Sequence, residues 1–253
     1  MSTFYCRTTF YMKKIILIVL IMSSCSSNER NLLNIGHRGA KGHIAENTLA
    51  SIKKAIDLGA DGIEIDVFKC LTGEIVVFHD KSLNKLTNGS GLIEEKTLEE
   101  LKELRVLDSQ EQIPTLLEVI ESIDEDVFLN IELKGRNTAE GSLDLVKKYV
   151  TKSDNILFSS FNWEELKDLR TLDSEIKIAL ITREDPLMAI NPALSLNAIA
   201  INPSYKSLNK NNTSEIYKAG LKIYTWTVND TVQISKMINL GVHGIITDFP
   251  EKI

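Results

Sequence analysis

The sequence predicts a (β/α)8 barrel with a small insertion after its second strand. Three observations carry that expectation. Short apolar runs alternate with helical stretches from about residue 32 to the C-terminus, eight such runs are present, and polar or charged residues recur just after them, where barrels keep their chemistry. An open doubly wound sheet would show fewer strands and a glycine-rich nucleotide loop. Neither a GxGxxG nor a P-loop pattern occurs.

Taken in order, the first strand is expected over residues 33–37, a helix over 48–58 and the second strand over 62–68. Gly59 reads as the residue that ends the helix, and Asn47 as its N-cap with Thr48 following. An extra short strand at 75–78 breaks the alternation. The stretch 81–114 after it is polar and turn-rich at 87–91, with a helical piece at 98–104. A segment that long between a barrel strand and its helix is an insertion, and insertions on the C-terminal face cover a site or select substrates.

The remaining strands are expected at 127–133, 156–159, 176–181, 198–201, 222–227 and 244–247. Helical patterns precede or separate them at 116–123, 139–150, 163–172, 186–190, 214–219 and 231–240. Gly220 terminates one helix, and Asn229 and Asp230 are candidate caps for the last long one.

With 253 residues, 43% of them hydrophobic and 25% charged, the chain suits one larger globular domain, expected over 32–253. A formal charge of −6 argues against a general nucleic-acid or anionic-membrane surface, so any anionic ligand must be held by local positive groups. Residues 1–27 read as a targeting segment. Lys13 and Lys14 precede an apolar stretch, 15–22, and small residues lead to Cys25, a pattern resembling the bacterial lipoprotein signal in which that thiol is lipidated. The stretch is too brief to span a bilayer permanently. The expected location is therefore the cell envelope, periplasmic or at the surface, with a lipid anchor in a membrane. The other cysteines are Cys6 and Cys70, which leaves no material for a disulfide framework or a cysteine metal site.

The chemistry concentrates in GHRGAKGHIAENT, DGIEIDV and VVFHD. Glu64 and Asp66 are one residue apart on an apolar run, so on a strand both point the same way. Glu132 and Lys134 repeat the spacing in NIELKG. Three carboxylates without a nearby cysteine suit a hard divalent cation, Mg2+ or Ca2+. The bland alternative is that these acids merely pair with Arg38 or Lys134. His37 and His79 each follow an apolar run and make a general acid and base pair near neutral pH. Arg38 and Lys134 offer cations for phosphoryl oxygens. Glu46 is expected either to bind a substrate hydroxyl or to orient a histidine. His43 and His243 lack such surroundings and read as loop or packing residues.

GHRGA, ENT, DGIEIDV, VVFHD followed by TNGSG, NIELK, TWTVN and GIITDFP together resemble the glycerophosphodiester phosphodiesterase family, in order from about residue 35 to 250. The resemblance implies a TIM barrel that hydrolyses glycerophosphodiesters to sn-glycerol 3-phosphate and an alcohol with a divalent metal. It implies His37 and His79 as catalytic acid and base, and Glu64, Asp66 and Glu132 as metal ligands. Arg38 and Lys134 match phosphate-binding positions, Trp226 an aromatic residue of the substrate cleft, and 81–114 the family's inserted subdomain. Between Asp66 and His79 the sequence departs from the usual Thr-Lys-Asp-Gly turn, carrying Cys70, Leu71, Thr72 and Gly73 instead. A phosphatidylinositol-type phospholipase C, also built on paired histidines, is one rival reading; the complete acidic triad speaks against it. A non-catalytic envelope-binding lipoprotein is another.

Overall fold

The computed structural model describes residues 32–253 together with Met1. The expected anchor segment and its Cys25 lipidation site lie outside the described residues.

Eight parallel strands close into a barrel: β1 (Leu33–His37), β2 (Gly62–Lys69), β4 (Phe128–Leu133), β5 (Ile156–Ser160), β6 (Ile178–Thr182), β7 (Ala200–Pro203), β8 (Lys222–Thr225) and β9 (Gly244–Thr247). β1 pairs with both β2 and β9, which seals the ring and leaves no free edge. β3 (Ile75–Val77) turns back antiparallel on β2, pairing Val67 with Val77. The expected barrel is therefore the observed one. Strand bounds shift by up to two residues at β6, β7 and β8, where the apolar run continues beyond the hydrogen-bonded ladder.

The helices are α1 (Leu49–Asp57), α2 (Leu98–Lys102), α3 (Leu116–Ser122), α4 (Ala139–Tyr149), α5 (Trp163–Leu172), α6 (Ile190–Ser195), α7 (Lys210–Lys218) and α8 (Thr231–Leu240). Thr48, not Asn47, caps α1, accepting from the Ser51 N–H. Asn47 sits instead at φ 57°, a left-handed conformation that asparagine tolerates, which turns its side chain inward toward β2. Thr97 with Glu100 and Thr115 with Glu118 form capping boxes, and Asp230 caps α8. Residues 186–190 hold only a short 3-10 turn before α6, since Pro192 cannot donate the N–H that a continuous helix would direct at the Met188 carbonyl. α7 starts at Lys210, four residues earlier than its apolar pattern, because Asn209 and Asn212 cap it reciprocally.

Two layers of core hold this arrangement. Between strands and helices pack residues such as Ile63, Ile65, Leu129, Ile131, Leu166 and Ile223, all inaccessible to solvent. Inside the barrel Ile35, Leu157, Ala179, Ala200, Tyr224 and Ile246 fill the lower part and leave the upper end to polar groups. Residues 81–114 form their own small core on Phe68 and Phe78, with Leu83, Ile93, Leu101 and Ile113. Buried Cys70 belongs to it. No helix among the described residues is long and apolar enough to cross a membrane.

Candidate active site

β1 ends at His37, and the next two residues turn left-handed, Arg38 at φ 53° and Gly39 at φ 81°. Glycine is required at 39, since a Cβ there would fall 2.4 Å from the Ser51 carbonyl carbon. The turn carries the Arg38 backbone N–H onto Glu64 Oε2 at 3.1 Å. It also brings the guanidinium to Glu46 Oε1 at 2.6 Å and to within 3.2 Å of Asp66 Oδ2. Glu46 thus braces Arg38 and, through its second oxygen, Lys41 at 3.2 Å. It touches neither histidine.

Glu64 and Asp66 project from β2, and Glu132 stands beside Asp66 in the β2–β4 register. One oxygen from each lies within 4.8 Å of the others. All three are buried, and Asp66, 1% exposed, sits behind the wall of the mouth cavity while Glu64 and Glu132 line it. Lys134 Nζ bonds Asp66 Oδ1 at 3.2 Å and Glu132 Oε1 at 3.3 Å.

The charges do not balance evenly over the cluster. Burial opposes ionisation of Asp66, but Lys134, Arg38 and His79 outweigh it and hold its pKa at about 2. Burial, then the charge of Asp66, pushes Glu132 up to about 7. Burial together with Asp66 and Glu132 raises Glu64 well above the usual carboxylate range. Two side chains are thus held against their preference for the charged form. An all-oxygen donor set under that strain fits a hard divalent cation, whose binding would relieve the repulsion.

His37 and His79 are each fixed at Nδ1 by a carboxylate. His37 Nδ1 donates to Asp248 Oδ1 at 2.6 Å, just after β9, and His79 Nδ1 to Asp80 Oδ1 at 2.5 Å. The nitrogen that these carboxylates leave available is Nε2; that of His37 lies 4.0 Å from Glu64 Oε2. Burial lowers the pKa of each imidazole below its ordinary value, despite the neighbouring acids. Burial would raise Asp248, but His37 and Asn229 outweigh it and keep it ionised.

These groups surround a cavity of about 70 Å3 at the C-terminal ends of the strands. Its lining brings together His37, Arg38, Glu64, His79, Glu132, Lys134 and Trp226 with Asn130, Phe161, Arg183 and Asn202. Trp226 donates its indole N–H to the Asn202 carbonyl at 2.8 Å and meets Phe161 edge to face at 5.4 Å. Arg183 stacks on Phe161 at 4.6 Å. A larger cleft of about 840 Å3 opens at the opposite end, among strand starts, lined by acids such as Asp61, Asp124 and Asp154. It contains no imidazole, so size alone does not locate the chemistry.

Sequence reasoning read Asn47 and Asn229 only as helix-cap candidates and passed over Asp80, so it missed the part all three play in the site. Asn47 donates to Asp66 Oδ2 at 2.9 Å and accepts from the Asp66 N–H at 3.3 Å. Asp80 directly follows His79, an adjacency that was the available signal. Outside the site, His43 contacts Glu251 at 3.1 Å and His243 Nδ1 accepts from the Ile223 N–H at 3.2 Å, both as loop and packing residues.

Comparison with known proteins agrees with this geometry. Residues 37–252 match the model of the glycerophosphoryl diester phosphodiesterase family. A glycerophosphodiester phosphodiesterase of Caldanaerobacter subterraneus is 36% identical over 233 residues, covering 87% of this chain and 96% of that protein. One from Bacillus altitudinis is 34% identical, covering 85% and 94%. Among solved structures, an Oleispira antarctica phosphodiesterase in complex with the product sn-glycerol-3-phosphate superposes with a TM-score of 0.83 at 34% identity, covering 87% and 94% of the two chains.

Proposed function

The chain belongs to the glycerophosphoryl diester phosphodiesterase family, and from that premise we propose that it hydrolyses glycerophosphodiesters to sn-glycerol 3-phosphate and an alcohol by paired-histidine acid–base chemistry at the barrel mouth. It is an enzyme of phosphoric diester hydrolysis, and neither the phospholipase C reading nor the non-catalytic one is favoured by its relatives. One observation carries the proposed mechanism. Two imidazoles with carboxylate-fixed Nδ1 atoms border one cavity together with Glu64, Glu132, Arg38 and Lys134.

In this reading one imidazole takes the proton of the attacking oxygen at Nε2, and the other gives a proton to the leaving alkoxide. Asp248 and Asp80 keep the two rings oriented through the reaction. Arg38 and Lys134 draw the phosphoryl oxygens to the mouth and offset their charge. Glu64, Asp66 and Glu132 would hold a divalent cation, Mg2+ or Ca2+, which when bound supplies further stabilisation of negative charge on phosphorus-bound oxygens. Phe161 and Trp226 present an aromatic wall to the substrate on one side.

Release of glycerol 3-phosphate from glycerophosphocholine, with and without a chelator, tests the reading. Loss of turnover on chelation and its return with Mg2+ or Ca2+ is the expected result. Turnover indifferent to chelator would overturn the cation assignment, and no release under any condition would overturn the activity.

We further propose that the protein is held at the cell envelope through lipid on Cys25. The support is the pattern of Lys13, Lys14 and the apolar 15–22 stretch ahead of that cysteine. Replacing Cys25 by serine should release the protein from membranes on fractionation; unchanged membrane recovery would refute the anchor.

A further inference from the structure

The acids, Arg38 and Lys134 account for the charged part of the mouth, but not for its neutral part. Asn202, on β7, is 1% exposed and lines the cavity, yet neither its Nδ2 nor its Oδ1 has a hydrogen-bond partner. Asn130, on β4 and 2% exposed, lines the same cavity with an unpartnered Oδ1. Buried amide atoms without partners are costly and rare in folded proteins. Two side chains with such atoms lining one reaction cavity point to a ligand that completes them.

The chemistry of that ligand follows from the atoms left unspent. Asn202 offers an N–H donor group and a carbonyl acceptor side by side. A phosphoryl oxygen only accepts and would leave Oδ1 unmet; an ammonium only donates and would leave Nδ2 unmet. A hydroxyl does both. Trp226 strengthens the choice, because its indole N–H is already committed to the Asn202 main-chain carbonyl and it can offer the ligand only carbon. An apolar ring beside an unspent amide matches a short carbon chain bearing hydroxyls.

We infer that Asn202 is a specificity-determining residue that binds a hydroxyl of the substrate's glyceryl moiety, with Asn130 Oδ1 as a further acceptor lining the same cavity from β4. The inference rests on the phosphodiesterase reading and deepens it: the enzyme selects diesters by the hydroxyls of the glyceryl side. The substrate's phosphorus then lies toward the imidazoles and cations, and its carbon chain toward β7 and β8.

Asn202→Leu removes both amide atoms at similar volume, and it leaves the Trp226 anchor intact because that bond is to the main chain. The test compares glycerophosphocholine with propylphosphocholine, the same diester without hydroxyls. Wild type should prefer the glyceryl substrate, and Asn202→Leu should lose about 10- to 100-fold in kcat/KM on that substrate alone. Equal losses on both substrates, or no loss on either, would overturn the inference. A second measurement works without turnover. sn-Glycerol 3-phosphate should raise the wild-type melting temperature more than propyl phosphate does, and the surplus should vanish in Asn202→Leu. An inactive wild type that still shows this surplus would sink the activity while sustaining the hydroxyl site; equal shifts from both ligands in wild type would sink the hydroxyl site.

Discussion

His37 Nδ1 and Asp248 Oδ1 lie 2.6 Å apart, so the end of the first barrel strand is tied to the residue just after the last. Asn229 donates to the other Asp248 oxygen at 2.6 Å and accepts from the Asp248 N–H at 2.8 Å, which stops the carboxylate from rotating away. A charged acceptor keeps the proton on Nδ1 and leaves Nε2 for the substrate. Asp248→Asn preserves shape but can present an N–H to Nδ1 and select the opposite tautomer. Steady-state kinetics should show kcat reduced about 10²- to 10⁴-fold, with thermal unfolding little changed. An undiminished kcat would mean that this pair does not orient the imidazole for catalysis.

The imidazoles themselves should be indispensable to turnover but not to the fold. Their rings stand at the mouth with side chains 12% and 25% exposed, outside the packed layers of the core. His37→Ala and His79→Ala are each expected to lower kcat at least about 100-fold while the circular dichroism spectrum stays that of wild type. Wild-type rates in either variant would reject the paired-histidine mechanism.

Cation binding should be visible as stability, apart from activity. The crowding that pushes Glu132 up to about 7 would be relieved by a bound divalent ion, so Mg2+ or Ca2+ at about 100 times its dissociation constant should raise the melting temperature by about 5–10 °C. Glu64→Gln and Glu132→Gln should each remove most of that rise. Calorimetric scans with and without the ion decide it: equal shifts in the variants would place the ion elsewhere.

Much of this architecture is legible in the chain because it is written in local pattern. Apolar runs of strand length ending at His37 and before His79, and one carrying the Glu64–Asp66 pair, announce both the barrel and its mouth. What stays hidden depends on partners distant in sequence or on backbone conformation. Asp248 meets a histidine 211 residues away, a pairing no local spacing encodes. Thr48 and Asn47 can both cap a helix; the left-handed φ at Asn47 decides between them, and that angle is set by packing against β2. Glu46 could be seen as functional, but its bond to Arg38 depends on the Gly39 turn. Asn202 looks like any polar residue ending a strand until its burial and unspent amide are known.

Asn47 supplies a prediction about stability at the site. Its side chain makes two hydrogen bonds to the most deeply buried acid of the cluster, at 2.9 and 3.3 Å, from a backbone at φ 57°. Asn47→Ala loses both bonds and keeps a strained angle, for a cost of about 2–3 kcal/mol. Asn47→Gly should recover about 1 kcal/mol of that, the part owed to the backbone. Urea titrations of the three proteins test the order; an alanine variant as stable as the glycine one would show that the angle carries no strain.

Asp173, after α5, provides a pH-dependent test remote from the site. Its carboxylate accepts from the Glu175 and Ile176 N–H groups at 2.8 and 3.0 Å and pairs with Lys147 at 2.8 Å. The bond from Lys147, with those from the backbone, lowers its pKa to about 2. The unfolded chain would titrate near the ordinary aspartate value of about 3.9. Because the folded value is the lower one, the stabilisation is fully present above about pH 4 and is lost as pH falls toward 2. The group stands near the surface, where water screens the ion pair, so the whole contribution should be modest, about 1 kcal/mol. Asp173→Asn should therefore melt roughly 2–4 °C below wild type at pH 6, and the gap should close as the pH approaches 2. A gap that stays constant across that range would show that the carboxylate's charge is not what holds the turn.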